Sequence, residues 1–220
     1  MAKFALACAM TAGLLASGQA ITWTMQSVSV PGATSNLQIQ SFNSQGTMAI
    51  KDSGTGKIYR RLRSGAVSEF ISNMAAGSAT AMNENGDVAI GGFNFDNQGN
   101  AVQSIWMWNA NGTVENWHNP SPPGSGASLS TQGINESRQV VGYGVRFDPD
   151  MYGAYVSYSP TSSMVLTELG GSFAKDISND GTIVGMNEYR PGTWDLAGNY
   201  TALPLPVGDT SGAAHVITES

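Results

Sequence analysis

A degenerate repeat is the sequence feature that most restricts how this chain can fold. Its anchor is a hydrophobic residue, a polar residue that is usually Asn, a short turn, and a Val or Ile that is mostly followed by Gly. Four anchors begin at Phe42, Met82, Ile134 and Ile177, spaced by 40, 52 and 43 residues, and a fifth opens at Val216-Ile217. A period of this length is typical of an array in which each unit buries its apolar face against its neighbours. The repeat therefore predicts architecture and says little about activity.

Each anchor has the pattern of a β-hairpin. Asn85-Gly86 and Asp180-Gly181 lie at the turns of the second and fourth copies, and Gln45-Gly46 is a weaker version in the first. Asn and Gly tolerate positive φ, which favours a tight two-residue hairpin turn. The third copy has Ser137-Arg138 at this position. We therefore expect a turn of another type in that copy.

Two further strands complete each unit. A segment that is often aromatic follows the hairpin, and Ser104–Trp108 is the clearest example because its aromatic residues alternate with others. This period of two is typical of a strand with one buried face. The first copy lacks the aromatic strand. A turn and a last strand, such as Val114–Trp117, then close a unit of four short strands joined as a meander.

The predicted fold class is all-β, a β-propeller-like array of four-stranded antiparallel blades. The units lie near 33–77, 78–124, 125–171 and 172–208, with a truncated fifth at 209–220. Ile21–Val30, followed by Pro31-Gly32, resembles the last strand of a unit, so the chain starts one strand out of phase. Propellers close their ring in this way, which hides sheet edges. We expect about four blades and a fragment of a larger ring, with a compact four-blade ring as the alternative.

The charge composition argues against nucleic acid as a partner. Charged residues make up 12% of the chain, the formal net charge is −6 and the pI is near 4.7. Binding to phosphate groups needs clustered Lys and Arg. The one basic cluster, Arg60-Arg61-Leu62-Arg63, is short. We interpret it as a solvated strand edge, where charge prevents aberrant strand pairing.

The N-terminus has the pattern of a secretory signal peptide at residues 1–20. Lys3 precedes the largely apolar segment Phe4–Leu15, and Gly18-Gln19-Ala20 is a small-x-small cleavage site. The apolar segment is too short to span a membrane, and no second segment reaches that length. Cys8, the only cysteine, lies inside the signal. We expect a protein starting near Ile21 that is secreted to the extracellular space or the periplasm.

The repeat anchors resemble a known family. Leu169-Gly170-Gly171 leads into Ile177–Gly185, Ile134-Asn135 leads to Val140-Val141-Gly142, and Ala154–Tyr158 stands where that family has His-Ala-Phe-x-Trp. On these residues the chain is similar to the HAF repeat family of extracellular bacterial proteins, over nearly all of residues 21–220. The complete copies lack the His that gives the family its name. The resemblance implies a propeller-like fold and export, with no defined catalytic activity and no site residues.

The residues that could carry catalysis are few. His118 and His215 are the two histidines, and neither lies near a nucleophile elbow such as Gly-x-Ser-x-Gly. A zinc site of the usual spacing is excluded because the remaining ligands are missing. Paired carboxylates would suit a propeller glycosidase, and the candidates are Asp96, Asp148, Asp150, Glu168 and Asp195. The segment 178–182 faintly resembles a sialidase Asp-box, but we interpret it as a hairpin turn. We predict no catalytic residue.

Calcium is the one cofactor that the sequence leaves open. Asn83, Asn85 and Asp87, or Asp148 with Asp150, would offer oxygen ligands, and residues 176–181 partly fit a calcium loop. Asn and Asp are also common in turns because they bond their own backbone. We favour the turn interpretation and predict no cofactor, with calcium as the alternative.

Aromatic and basic residues near loops are the candidates for ligand binding. Trp106, Trp108, Tyr155 and Trp194 recur in phase with the repeat, so we place them in the blade cores. The ligand-binding candidates are Trp117, His118, Tyr189 and Arg190. We predict an exported surface-binding module without evident catalysis, whose partner is a carbohydrate or a cell-surface protein. The alternatives are a propeller glycoside hydrolase or lyase with catalytic loops partly outside this chain, and a purely structural envelope component.

Overall fold

The computed structural model consists of β-strands and their connections. It describes residues 4–7, 26–34, 36–70, 76–95, 101–117, 128–147, 150–167 and 172–218. Two short strands, β1 (Phe4–Ala7) and β2 (Gln26–Val28), form an antiparallel pair. The other sixteen strands form four sheets of four strands each. The prediction of an all-β chain built from four-stranded antiparallel blades is confirmed.

Each sheet, called a blade here, is a meander of four consecutive antiparallel strands. Blade 1 contains β3 (Leu37–Phe42), β4 (Met48–Asp52), β5 (Ile58–Arg61) and β6 (Val67–Glu69). Blade 2 contains β7 (Ala76–Met82), β8 (Val88–Phe95), β9 (Ala101–Trp108) and β10 (Val114–Trp117). Blade 3 contains β11 (Ser128–Ile134), β12 (Val140–Phe147), β13 (Asp150–Ser159) and β14 (Ser162–Thr167). Blade 4 contains β15 (Phe173–Ile177), β16 (Ile183–Asn187), β17 (Arg190–Trp194) and β18 (Tyr200–Ala202).

The first hairpin of every blade uses the same turn, which differs from the expected one. In blade 2 the Asn83 N–H donates to Asp87 O at 3.1 Å and the Gly86 N–H donates to Asn83 O at 3.1 Å. Gly86 has φ +90°, whereas Asn85 is not left-handed. This is a three-residue loop that ends in a left-handed residue. The prediction of a two-residue Asn-Gly turn is therefore wrong.

Blade 3 has the same turn, so the expectation of another type at Ser137-Arg138 is also wrong. Arg138 takes the left-handed position with φ +62°, where the other three blades have Gly. The Asn135 N–H donates to Gln139 O at 3.2 Å, as in the other blades. Contacts of the Arg138 guanidinium, described below, offset the cost of this backbone conformation for a residue with a Cβ.

Three apolar cores join successive blades. The first core joins blades 1 and 2 and contains Ala49, Ile58, Phe70, Val88, Ile90, Trp106 and Trp108. The second core joins blades 2 and 3 and contains Ala81, Ala89, Ile105, Met107, Trp117, Leu129, Ile134, Val140 and Tyr155. The third core joins blades 3 and 4 and contains Val141, Ala154, Val156, Ala174, Ile177, Ile183 and Trp194. The in-phase aromatic residues lie in these cores, as the sequence predicts.

The first strands of the blades line the inner side of the array. β3 contacts β7, β7 contacts β11, and β11 contacts β15. The blades therefore follow one another around a common axis, with the first strand innermost. Glycine in the Val-Gly motif permits the first and second strands of a blade to approach closely, because a Cβ on Gly142 would lie 2.0 Å from Ser130 O and one on Gly185 would lie 2.0 Å from Phe173 O.

The segments before blade 1 and after blade 4 cover the two end faces. Val28 and Val30 pack on Ile50 and Tyr59, on the face of blade 1 that points away from blade 2. The strand expected over Ile21–Val30 ends at Val28, and its described part, Gln26–Val28, pairs with residues of the expected signal segment. Residues 21–25 lie outside the described part of the chain. Residues after β18 return along blade 4, where the Ile217 N–H donates to Asp176 Oδ2 at 3.2 Å. This contact lies where the expected fifth repeat opens.

Candidate functional site

The first-hairpin end of the blades carries a ladder of asparagine side chains. The amide nitrogen of Asn43 donates to Glu84 O at 3.1 Å, that of Asn83 to Asn135 O at 3.2 Å, and that of Asn135 to Ser178 O at 3.0 Å. Each amide oxygen accepts from the backbone N–H four residues later, for example Asp87 N at 2.9 Å. The Asn of the repeat anchor therefore closes its own turn and bonds the next blade.

Carboxylates at the same end hold the hairpins together. Glu84 accepts from Ser44 N at 2.9 Å, and Glu136 accepts from Glu84 N at 2.6 Å and Asn85 N at 3.2 Å. Asn179 Oδ1 takes the same role for Glu136 N at 2.8 Å. A carboxylate bonded to backbone N–H groups stabilises the turn that it contacts. These acids serve the packing between blades.

Blade 4 departs from the ladder because Ser178 replaces Asn. The Ser178 hydroxyl bonds Asp180 Oδ1 and accepts from Thr182 N at 3.1 Å. Hydrogen bonds from Ser178 and Thr182 lower the pKa of Asp180 below its usual value. The segment that resembles an Asp-box and a calcium loop is the hairpin turn, as we interpreted it.

A polar cluster joins blades 2 and 3 around Trp117. The Trp117 side chain is only 2% exposed, its indole N–H donates to Glu115 Oε2 at 3.2 Å, and the Arg138 guanidinium lies 5.5 Å from its ring centroid. Arg138 Nη2 also donates to Glu115 Oε1 at 2.9 Å and to Asn109 Oδ1 at 2.7 Å. Hydrogen bonds from Asn109, Arg138 and Trp117 outweigh burial and lower the pKa of Glu115. Trp117, one of the ligand-binding candidates, is therefore packed in the core and covered by the next blade.

The interpretation of the basic cluster as a solvated strand edge is wrong for Arg60. Its side chain is buried, with Nη1 donating to Asn109 O at 2.7 Å and Gly86 O at 3.3 Å. The guanidinium lies 4.4 Å from the Trp108 ring centroid, a cation–π distance. Burial lowers the pKa of Arg60. Arg60 therefore fixes blade 1 to blade 2, and Arg63 is the solvated member of the cluster.

The candidate calcium ligands of blade 2 serve other partners. Asp87 Oδ1 accepts from Ala110 N at 2.8 Å, and Oδ2 accepts from Asn83 Nδ2 at 3.3 Å. Within the described residues, no group of three or more His, Cys, Asp or Glu side chains is arranged to hold a metal ion. Asp148 and the side chain of Asp150 lie outside the described part of the chain.

Asp52 closes the opposite end of blade 1, where the second and third strands connect. It accepts from Thr34 N at 2.8 Å, Gly54 N at 2.9 Å and Thr55 Oγ1 at 2.9 Å, and the Thr34 hydroxyl also bonds it. Burial opposes ionisation of this carboxyl, but these hydrogen bonds prevail and hold its pKa well below the usual range. The side chain is fully buried and acts as a loop brace.

Tyr189 and Arg190 lie at the same end of blade 4. Asn187 pairs with Arg190, so Glu188 and Tyr189 form a two-residue hairpin turn, with φ of +46° and +65°. Positive φ at both residues defines a type I′ turn, in which Asn and Gly are usual. The Tyr189 side chain is 61% exposed, and Arg190 is exposed beside it. These two sequence-predicted candidates are therefore neighbours on one surface.

Three contacts fix this turn from outside it. The Gly212 N–H donates to Tyr189 O at 2.9 Å, the Glu188 N–H donates to Ser172 Oγ at 3.3 Å, and the Tyr200 hydroxyl donates to Arg190 O at 2.8 Å. The contacts come from the segment after β18, from the residue before β15, and from β18 itself. The turn is therefore built into the fold although its side chains face solvent.

The remaining candidates lie in a turn, after β18 or outside the described residues. His118, Asp96 and Glu168 lie outside the described residues, and His215 is exposed in the segment after β18. Asp195 accepts from Ala197 N and Asn199 N at 2.9 Å each, which closes the turn between β17 and β18. Hydrogen bonds from Asn199 are the main cause of its lowered pKa. Asp195 is thus a turn residue.

The comparison with solved structures identifies the architecture. Virginiamycin B lyase from Staphylococcus aureus matches with a TM-score of 0.52 and 14% identity, over 78% of this chain and 56% of that one. A streptogramin B lyase structure matches with a TM-score of 0.50 and 15% identity, over 78% of this chain and 59% of that one. The fold is a β-propeller. This propeller chain spans a little more than half the length of those lyases, and the likeness at such identity concerns the fold alone.

Sequence comparisons add no relative. No protein-family description matches the chain, and no curated protein matches it. The resemblance to the HAF repeat family stays a prediction. Within the described residues, the structure has no helix that is long and apolar enough to span a membrane.

Proposed function

We propose that this propeller is an exported binding module, and that it contacts a carbohydrate through the Tyr189–Arg190 turn of blade 4. The observation that carries the proposal is the backbone of Tyr189, which is left-handed at φ +65° while its side chain is 61% exposed. Gly would occupy this position at lower cost. Strained residues that the surrounding fold holds in place are concentrated at functional sites.

The chemistry of the turn suits a sugar. An exposed aromatic ring offers an apolar face to the C–H groups of a pyranose, and its hydroxyl offers a hydrogen bond. The adjacent guanidinium of Arg190 carries five N–H donors for hydroxyl or carboxylate groups. A rigid backbone lowers the entropy lost on binding. These properties support recognition of a surface glycan by Tyr189 and Arg190.

Five of the described carboxylates have structural partners, which makes these five poor candidates for hydrolysis. Glu84, Glu136 and Asp87 bond backbone N–H groups of adjacent turns, and Asp52 and Asp195 close their own loops. A glycosidase needs two carboxyl groups that face a substrate across a few ångströms. Each of these five acids instead stabilises the fold.

Glycan-array binding followed by titration tests the proposal. We expect Tyr189→Ala and Arg190→Ala each to weaken binding of the selected glycan by about tenfold, since each removes about one strong contact. Phe42→Ala is the matched control, because the Phe42 side chain is a 56% exposed aromatic ring that lies at the first-hairpin end of blade 1, away from the Tyr189 turn. Equal binding by wild type and Tyr189→Ala would refute the assignment of the turn.

Export is part of the same proposal. The signal pattern at residues 1–20 predicts cleavage after Ala20, and N-terminal sequencing of secreted protein should then begin at Ile21. Cleavage there removes β1 and leaves β2 without the strand that it pairs with. Recovery of an uncleaved N-terminus from the culture medium would contradict this part.

The enzyme alternative has one observation in its favour, the fold shared with streptogramin B lyases. The chain spans 56–59% of those proteins, so catalytic loops of a lyase would lie partly outside it. Incubation with a streptogramin B antibiotic, followed by liquid chromatography and tandem mass spectrometry, tests for conversion of the antibiotic. Turnover by the chain would replace the binding proposal with the lyase alternative. A purely structural role would show neither turnover nor glycan binding.

A further inference from the structure

Every first strand contains a β-bulge at the same level of the array. The pairing register shifts between Ile39 and Ser41, Gly77 and Thr80, Thr131 and Gly133, and Ala174 and Asp176. Bulges re-aim a side chain out of the regular alternation of a strand. In blades 1, 3 and 4 the unpaired residues are Gln40, Gln132 and Lys175.

The neighbours of each bulge show where its extra residue points. In blade 3, Thr131 faces blade 2, because its hydroxyl donates to Ala89 O at 3.2 Å. Gly133 faces blade 4, because a Cβ there would lie 2.9 Å from Asp176 Cα. Gln132 lies between them, unpaired and half-buried on the innermost strand. Its side chain therefore extends from the inner edge toward the axis.

The same argument places Lys175 on the inner edge of blade 4. Ala174 packs in the core shared with blade 3, and Asp176 accepts from Ile217 N on the other side. The Lys175 ammonium lies 5.4 Å from the Tyr143 ring centroid and 5.2 Å from the Phe173 ring centroid. No carboxylate of the described residues forms an ion pair with it, so its N–H donors are available to a ligand.

The hydrogen bonds of the two glutamines define what they can still bind. Gln132 Nε2 donates to Ser130 Oγ at 2.8 Å and to Thr131 O at 3.0 Å, and Gln40 Nε2 donates to Gln38 Oε1 at 3.4 Å. Each side chain thus uses its amide nitrogen within its own strand and retains Oε1 as an acceptor. Contacting strands of blades 3 and 4 therefore present an acceptor on β11 and an ammonium group on β15, with the Tyr143 ring near the ammonium group.

We propose that the inner edge of blades 3 and 4 binds an acidic saccharide. Its carboxylate pairs with Lys175, a hydroxyl group donates to Gln132 Oε1, and the Tyr143 ring lies beside the sugar. Gln40 offers a further acceptor to a longer chain. This site is separate from the Tyr189 turn and goes beyond the proposed function, because it selects for charge and uses the innermost strands of blades 3 and 4.

Isothermal titration with two probes of equal length tests this site. Tri-galacturonic acid carries carboxylates, and maltotriose is the neutral control. We expect wild type to bind the acidic trisaccharide at least about tenfold more tightly, and Lys175→Gln to lose that preference, in line with one charge-assisted hydrogen bond. Arg63→Gln removes an exposed cation on blade 1 and should leave both affinities unchanged.

Further variants separate this proposal from its competitors. Gln132→Glu places a negative charge on the strand next to that of Lys175 and should weaken binding of the acidic probe by about tenfold or more. If a thermal melt shows that Lys175→Gln does not fold, the Gln132→Glu variant tests the site in its place. Equal wild-type affinity for both probes, or no binding of the acidic probe, would overturn the proposal. Loss of binding in Arg63→Gln would show non-specific attraction instead, and loss in Tyr189→Ala would place the ligand on the turn.

Discussion

The asparagine ladder makes a graded prediction for the stability of the propeller. Asn83 is 3% exposed, its Oδ1 accepts from Asp87 N at 2.9 Å, and its Nδ2 donates to Asn135 O at 3.2 Å. Asn83→Ala leaves the buried Asp87 N–H without its side-chain acceptor, which costs about 1–3 kcal/mol. It also removes the bond between blades, which contributes about 0.5–1.5 kcal/mol. We expect the free energy of unfolding to fall by about 2–4 kcal/mol.

Asn83→Ser separates the two parts of this loss. Blade 4 already has Ser at the equivalent position, where the Ser178 hydroxyl accepts from Thr182 N at 3.1 Å. Serine at position 83 should therefore keep the turn and lose the amide hydrogen bonds to Asn135 O and Asp87 Oδ2, at a cost of about 1–2 kcal/mol. Asn85→Ala is the matched control, because residue 85 lies exposed in the same turn and contributes its backbone N–H.

Urea unfolding followed by circular dichroism measures the series. A change of midpoint at constant m-value reports stability, whereas a change of m-value would show that the blades no longer unfold together. The expected order of stability is wild type and Asn85→Ala, then Asn83→Ser, then Asn83→Ala. Equal losses for the Ser and Ala variants would refute the assignment of separate roles to the two amide atoms.

Three further perturbations test other parts of the structure. Gly142→Ala forces a Cβ to within 2.0 Å of Ser130 O, so we expect loss of the cooperative thermal transition or a stability loss above about 3 kcal/mol, as for other severe overpacking. The depressed pKa of Asp52 means that its ionised form stabilises the fold above about pH 4, the unfolded-state value, and that this contribution fades as the pH falls toward the folded-state pKa. The stability difference between wild type and Asp52→Asn should therefore shrink on acidification below about pH 4, and a constant difference in acid-unfolding curves would contradict it. Tyr189→Gly should raise thermal stability by about 1 kcal/mol by relieving the left-handed backbone, while weakening glycan binding; a destabilised variant would argue against strain at the turn.

Much of the architecture was predictable because its signals are local. The repeat anchors predicted the first hairpins, and alternating aromatic residues such as Trp106 and Trp108 predicted the third strands. The expectation of one buried face was wrong, because Ile105 and Met107 on the opposite face are buried against the next blade. The strand expected over Val114–Trp117 has those bounds in the structure. Period-two patterning and turn residues specify such elements without reference to distant parts of the chain.

The features that sequence reasoning missed depend on contacts between blades. Trp117 was named as a ligand-binding candidate because it stands at the end of a strand, but Arg138 of the next blade lies over its ring. Arg60 was placed at a solvated edge, yet it reaches carbonyl groups of blade 2. No local pattern distinguishes a buried arginine from a solvated one in a short strand. Bulges at Gln132 and Lys175 were equally invisible, because a register shift is a property of two strands.

The acceptor that each asparagine side chain uses in the ladder affects how easily the number of repeats can change in evolution. Each Asn side chain donates to a main-chain carbonyl of the following blade, at Glu84, Asn135 or Ser178. A main-chain acceptor is the same whatever side chain the following repeat carries at that position, so a copied or exchanged repeat finds its partner in place without a compensating substitution. Gene duplication can therefore alter the number of blades while the sequence of each repeat drifts, which is the pattern of spacing and divergence that the four anchors display.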